Sequence, residues 1–548
     1  MENQNTQKKL IFSVFLLFAI LLCLPQSDSF AKKKAQETET APQPPQLDKT
    51  IGDLAEFMAF SPIPVKGIGL VVGLPNTGSS ECPPLIRDYL RQYILTQLGP
   101  RDIASADAMI SSLDTAVVVV EGNIPPGASK HQAFDVSVRA LPGTQTTSLL
   151  NGRLYTTDLK FVAQIEEALR TSKTLAIAAG PVYIDKLSDP NADPRKGAVL
   201  GGGRVMENYQ FTLSILKPDY PTAAIIRNHI NQRFGKDIAS AVSPQIIYLS
   251  VPADYKDKKE RFIELVKSLY ITDTAANEKK HIDWLVENLK TASDKSKYQT
   301  GLEAIGKNAA DKIQPLLGSK DDSTRFAAAK CLLVIGDNSA LKPLRDFAQD
   351  RTSPFRIAAI QAIGNYAPKS DVISLMTRLV RDDNFDVRYN AYKFLQKYND
   401  TSIIHSLVAN DFYIDQVIQT GPKTIYVSRT GRPGIVLLGA PLNCRKNIYV
   451  ESDDAQIIIN SLPDGNGVSI MRKHPITKEL MGPFKCSLRV ADIIRNLGEI
   501  AVREAKEKKP IGLGVSYSDI VALLKKMVDK GAIDADFVTG PLSPASPK

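Results

Sequence analysis

Three arginine-led, alanine-rich segments recur at nearly constant spacing: Arg325-Phe-Ala-Ala-Ala-Lys-Cys-Leu-Leu-Val-Ile-Gly336, Arg356-Ile-Ala-Ala-Ile-Gln-Ala-Ile-Gly364 and Arg388-Tyr-Asn-Ala-Tyr-Lys-Phe-Leu395. The arginines stand 31 and 32 residues apart, and Gly301-Leu-Glu-Ala-Ile-Gly306 carries the same theme. A repeat of this length cannot bury its apolar face alone, so the pattern predicts paired helices stacked into a short solenoid over residues 273–415. Small residues let neighbouring helices approach, and Asp321-Asp322 and Asp382-Asp383 favour the positive N-terminal ends of the helices that follow. Such an array offers a docking surface for a partner or serves as a packing spacer.

The region before the array has a different period. Lys66-Gly-Ile-Gly-Leu-Val-Val-Gly-Leu-Pro-Asn-Thr-Gly-Ser79 is a short apolar run between glycines, broken by Pro75-Asn76-Thr77-Gly78, and reads as a buried strand ending in a tight turn. A phosphate-cradling loop needs Lys directly after its last glycine, where this chain has Ser79. Gly67, Gly69 and Gly73 also miss the dinucleotide spacing by one residue. Nucleotide chemistry is therefore not expected. Without side chains, Gly67, Gly69 and Gly73 let another backbone approach, within the subunit or across a subunit contact.

Alternation continues through Ala116–Val120 and Phe134–Val138 as strands, Leu85–Leu98 has helical periodicity, and a β-rich domain is expected over 51–205. Over 206–272 the pattern is strand, helix, strand, helix: Phe211–Leu216, a helix capped by Thr222 with Ile226, Ile230 and Phe234 on one face, Ile246–Pro252, and Arg261–Leu269. A further α/β segment is expected over 416–540, where Val490, Ile493, Ile494 and Leu497 share one helical face. There Ser516 caps a last helix that stops at Gly531. The fold class is α+β, with residues 541–548 a disordered tail.

At 548 residues and 43% hydrophobic content, the chain holds roughly three or four domains. Positions 1–31 read as a cleavable secretory signal and 32–50 as a polar, Pro-rich, disordered leader. The formal net charge of +9 favours acidic partners such as a polyanionic envelope polymer, although the basic residues are scattered in the manner of a solvated surface. Export permits disulfides. Cys82, Cys331, Cys444 and Cys486 remain after removal of the signal and allow three pairings; Cys331 reads as a buried thiol, and Cys444 with Cys486 is the bridge expected. The five histidines share no metal-ligand spacing, and no nucleophile elbow or cysteine–histidine arrangement is present. No catalytic residue, metal, cofactor or nucleic acid is expected.

Several motifs occur together in a known order. The Gly67–Gly78 stretch, Val117–Val120, Ile124-Pro125-Pro126, Asp135-Val136-Ser137-Val138, Ser148-Leu149-Leu150-Asn151-Gly152-Arg153-Leu154, Thr157-Asp158-Leu159-Lys160, the Gly-Gly-Gly-Arg-Val run from Gly201, and Arg429-Thr430-Gly431 resemble the signatures of bacterial flagellar P-ring proteins. The resemblance spans 51–272 and 425–540. It is interrupted by the array, which is similar to HEAT-like repeats, and by the charged run Arg503–Pro510. It implies a structural ring subunit in the periplasm, part of the flagellar basal body, with the rod, the outer-membrane ring proteins and peptidoglycan as partners and a homo-oligomeric, closing interface. On this reading Gly67, Gly69, Gly73 and Gly78 serve assembly, so Gly69→Val is expected to block the ring and Ser79→Ala to spare it. Two rivals are a periplasmic scaffold whose repeats dock another envelope complex, and an envelope hydrolase using an unrecognised acid pair.

Overall fold

Residue order dictates an unusual first connection. The computed structural model describes residues 49–545 except 59–60, 99–102, 162–172, 272–273, 419–420, 476–477 and 500–511. The signal, most of the leader and the run 503–510 lie outside the described residues. Near the start of the described residues Thr50 forms a bridge to Tyr270, and helix α1 (Ile51–Leu54) leads into strand β1 (Ala55–Met58). Strand β1 does not join the β-rich domain that follows it in sequence.

That domain is a closed, all-antiparallel barrel, formed by β2 (Ile63–Val72), β3 (Ala116–Ile124), β4 (Ala133–Ala140), β5 (Arg153–Phe161), β6 (Ala176–Pro181) and β7 (Lys196–Val205) in the order β2-β3-β4-β7-β6-β5. Closure leaves no open edge. Val118, Val120, Val136, Val138 and Leu159 fill the interior, while Val117 and Leu70 pack outward beneath helices α2 (Pro84–Leu98) and α3 (Ile103–Ile110). Burial on both faces explains why the valines of β3 run continuously rather than alternating.

Strand β1 pairs instead with β8 (Phe211–Ile215), Ala55 opposite Ile215, in a sheet of order β1-β8-β10-β9 completed by β9 (Ala239–Ala241) and β10 (Ile246–Leu249). The expected boundary at 51 is thus corrected: residues 51–58 belong to the α/β unit, because Ala55 and its neighbours complete the apolar face of that sheet. Helices α4 (Tyr220–Phe234) and α5 (Lys259–Lys267) supply Ile226, Ile230, Phe262 and Val266 to the same core. Asp219, not Thr222, caps α4: its carboxylate accepts from the Thr222 N–H at 3.0 Å and the Thr222 hydroxyl at 2.7 Å. Tyr220 and Pro221 open the first turn, where proline's missing N–H costs nothing.

The array comprises α6 (Ala275–Thr291), α7 (Ser296–Ile305), the short α8 (Ala310–Ile313), α9 (Asp322–Val334), α10 (Leu341–Gln349), α11 (Arg356–Tyr366), α12 (Lys369–Leu379) and α13 (Phe385–Lys397). The repeated arginines each tie the turn before their own helix. Arg325 donates to the Ser319 carbonyl, Arg356 to the Ala348 carbonyl and Asp382, and Arg388 to the carbonyls of Asp382 and Asp383. The array ends at Lys397 rather than 415. Residues beyond it form a hairpin, β11 (Ile403–Val408) and β12 (Phe412–Ile418), turned through Ala409 and Asn410 at φ +50° and +59°.

These strands open a mixed sheet of order β11-β12-β14-β13-β19, with β13 (Thr424–Val427), β14 (Gly434–Ala440) and the late β19 (Asp536–Thr539). A second antiparallel sheet, β15 (Tyr449–Glu451), β16 (Ile457–Ser461), β17 (Val468–Lys473) and β18 (Leu480–Cys486), packs on it with α14 (Val490–Gly498) and α15 (Tyr517–Asp529). Ser516 caps α15, accepting from the Asp519 N–H, and Gly531 beyond its end has φ +67°. No helix among the described residues is long and apolar enough to cross a membrane.

The five-stranded sheet is a middle layer. Val417, Tyr426, Val436 and Leu438 belong to the array's own core, whereas Ile414, Ile425, Ile435 and Leu437 face α14 and α15. Buried Asp415 accepts from Tyr392 at 2.6 Å and Gln396 at 2.7 Å, both on α13. The other end of the array is bolted to the α/β unit: Arg261 pairs with fully buried Glu303, and Arg233 donates to the carbonyls of Glu303 and Ala304 at 2.9 Å each. The array is therefore not a detachable insertion. Deleting residues 275–398 is expected to leave Asp415 without Tyr392 and Gln396 and to bare one face of the sheet. The truncated protein should lose its cooperative thermal transition and aggregate; a soluble, cooperatively folding product would refute the strut.

Candidate functional site

The glycines of the first motif owe their identity to the barrel's closing seam. Pairing of β2 with β5 shifts register between Lys66 and Val71, and β5 crosses closely there. A Cβ on Gly67 would lie 2.2 Å from the Asp158 carbonyl oxygen, and one on Gly69 would lie 2.2 Å from Thr157 Oγ1. Gly78 meets the Thr115 carbonyl oxygen at 1.9 Å in the same sense. Gly73 differs: nothing lies within 4 Å, but its φ of +75° is left-handed. Gly67, Gly69 and Gly78 thus each have a close neighbour within the chain, and Gly73 has its left-handed φ.

Ser79 is also structural. Only 1% exposed, its hydroxyl accepts from the backbone N–H groups of Glu81 at 3.1 Å and Gln145 at 3.2 Å. Ser79→Ala removes the acceptor of both N–H groups and therefore carries a cost in stability.

Motifs distant in sequence converge outside the barrel on Asp135 of β4. Its carboxylate accepts from the Gly201 N–H at 2.6 Å, the Thr430 hydroxyl at 2.6 Å, the Gly431 N–H at 3.0 Å and the Ser543 hydroxyl at 2.7 Å. Gly201, at φ +59°, permits the contact: a Cβ there would sit 3.1 Å from the Gly431 carbonyl oxygen. Beside it Arg429 donates to the Gly540 carbonyl at 2.8 Å, Ser188 at 2.6 Å and Asp185 at 3.2 Å. The Tyr517 hydroxyl lies 2.7 Å from the Ser428 carbonyl and 2.9 Å from that of Gly434, bracing both ends of the Arg429-Thr430-Gly431 loop. Ser518 accepts from the Ile184 N–H at 3.1 Å, and Lys186 pairs with Asp519 at 3.0 Å. Barrel residues Tyr183, Ala198 and Leu200 complete the C-terminal core.

The chain's end takes part in this junction. Residues 541–545 are not the frayed tail expected: Ser543 is 4% exposed on Asp135, and the Gly540 N–H donates to the Val427 carbonyl at 2.8 Å. Only 546–548 of that segment fall outside the described residues.

The expected Cys444–Cys486 bridge is not formed; the four described cysteines are free thiols. Both nevertheless border one core, and burial, with Cys486 close by, pushes the Cys444 thiol up to about 12. Burial pushes Cys486 up to about 12 as well, with Asp492 adding to it. Thiols held this far from the thiolate are poor nucleophiles for disulfide exchange. Cys331 is fully buried, as its helix pattern implies. Among the described residues no group of three or more His, Cys, Asp or Glu could hold a metal ion.

Two outcomes follow from the geometry. Gly69→Ala should cost about 1–3 kcal/mol and be partly restored by Thr157→Ala, whereas Gly67→Ala should resist rescue by any residue at 158, since its obstacle is a backbone oxygen. Thermal unfolding of the single and double variants checks this pair. Asp135→Ala should lower the unfolding midpoint by the loss of several charge-assisted bonds, each worth about 1.5–3 kcal/mol, and make the chain after Thr539 newly accessible to carboxypeptidase. Unchanged melting and an equally protected tail would count against the junction.

Comparison with known proteins agrees with the motifs. Residues 50–283 match the family model of the flagellar P-ring protein, and residues 282–364 match HEAT repeats. A flagellar P-ring protein of Geotalea uraniireducens is 28% identical over 280 residues, covering 48% of this chain and 66% of the relative. Those of Thermotoga maritima (30% over 238 residues, 40% of this chain, 66% of the relative) and Anaeromyxobacter sp. strain K (28% over 236 residues, 40% and 60%) are similar. The alignments thus span 60–66% of these relatives' own length. Residues 50–283 thus form a flagellar P-ring family domain, carried in the same polypeptide as HEAT repeats.

Proposed function

We propose that the chain is a structural subunit of the P ring of the bacterial flagellar basal body, exported to the periplasm and assembled as a homo-oligomer around the rod in the peptidoglycan layer, beneath the outer-membrane ring proteins. The observation that carries this reading is the family match, whose segment folds as one barrel and one α/β unit. The work assigned is mechanical. It requires rigid subunits and a heterologous contact whose rotation closes, and no reacting group.

The α/β unit offers a face suited to that contact. Its helices cover one side of the sheet; on the other, Met58 stands opposite Thr212, Thr212 opposite Tyr248 and Tyr248 opposite Ser240. This row carries no charge, and Met58 and Tyr248 are 50% and 40% exposed. A neighbouring subunit laid across this row would bury apolar surface, and the next row on the same face carries the exposed carboxylate of Glu56. The rival reading, a periplasmic scaffold, draws support from the array, which lies largely outside the matched family segment.

Imaging purified basal bodies with the chain labelled tests the proposal: label in the ring around the rod is expected, and its absence from rings that still form would overturn it. Tyr248→Asp, combined with Met58→Asp, should abolish ring incorporation while changing monomer stability by no more than about 0.5 kcal/mol, as expected of exposed positions. Sedimentation and thermal melting of the purified variant separate the two effects.

A further inference from the structure

Five helices end at one cleft. The C-terminal turns of α4, α7, α9, α11 and α13 border a cavity of about 810 Å³ between the α/β unit and the array. Helix C-termini present unsatisfied carbonyls and a partial negative charge, and so attract cations. Two cations answer them directly: Arg233 on the end of α7, and Lys258, which donates to the Asn365 carbonyl at 3.2 Å with its ammonium 3.9 Å from the centre of the Tyr366 ring.

Arg233 and Lys258 reach two of the five helix ends, and further cations stand beside them. Lys307 and Lys397 also line the cleft, are exposed and have no ion-pair partner among the described residues. Asp254 and Asp257 are on the rim, yet neither forms an ion pair among the described residues. Burial and then the Lys397 charge push Lys258 down to about 8, with Asp254 and Asp257 only partly offsetting them. Like charges are thus held together with too little counter-charge, while carbonyl-rich helix ends oppose a bare anion. A ligand that satisfies both must bring carboxylates for the lysines and N–H donors for the carbonyls.

We propose that this cleft binds an acidic peptide segment of a partner protein, its carboxylates on Lys258, Lys307 and Lys397 and its backbone N–H groups on the last-turn carbonyls. None of the residues lining the cleft belongs to the exposed row of Met58, Thr212, Tyr248 and Ser240. A HEAT-like array that is braced at both ends gives it rigid walls, so little ordering cost is added on binding.

A fluorescein-labelled oligoglutamate peptide, titrated against the full chain at low ionic strength, is the probe. The double variant Lys307→Glu/Lys397→Glu should weaken binding roughly tenfold or more, and Lys342→Glu, outside the cleft, by less than about twofold. Equal losses, or no binding to the wild type, would overturn the site. A second measurement needs no variant: near pH 8 Lys258 should be acetylated faster than other lysines, and oligoglutamate should protect it. Equal protection by inorganic phosphate would make the ligand a simple anion and refute the peptide.

Discussion

A single carboxylate determines how the halves of this molecule meet. Asp135 faces outward from a barrel strand and gathers donors from β7, from the loop between β13 and β14, and from the C-terminal strap. A carboxylate suits this task because it accepts from several donors at once and each bond is charge-assisted. Arg429, directly before Thr430, works in the opposite sense, donating to the strap and to the barrel. Three of the recognisable motifs are thus parts of one joint.

The array fixes a second distance. Its first repeat is tied to the α/β unit by the Arg261–Glu303 pair, and its last to the five-stranded sheet by Tyr392, Gln396 and Arg388, which reaches Thr424 at 2.9 Å. Arg356 and Asp382, both nearly buried, join successive repeats. Removing one partner of such a pair strands the other charge away from water, so each is a strict constraint on the register between elements. The HEAT repeats act as a strut between parts of the chain, and their cationic cleft lies where the strut meets the α/β unit.

Much of this was legible. The 31–32-residue spacing foretold the stacked helices, the valine run and the Asp-Val-Ser-Val alternation foretold the barrel strands, and Ser516 and Gly531 marked the ends of α15. Less was legible where two local signals compete. Thr222 and Asp219 are both good caps, and Pro221 between them decided for Asp219. Most of the hairpin 403–418 lies inside the span expected for the array, although Asn410-Asp411 was a turn signal.

The sequence by itself determined which segments could be helix, strand or turn, and the order in which family motifs occur, since periodicity, capping and glycine freedom are local properties. Tertiary structure alone decided that β1 pairs with β8, that Ser543 returns to Asp135, and that Asp158 and Thr157 crowd Gly67 and Gly69 at the barrel seam. Each depends on which residue arrives opposite after a long stretch of intervening chain, a matter of global packing that no local spacing encodes. The same holds for the cleft: its lysines are scattered along the chain, and only the stacking of five helix ends brings their charges together.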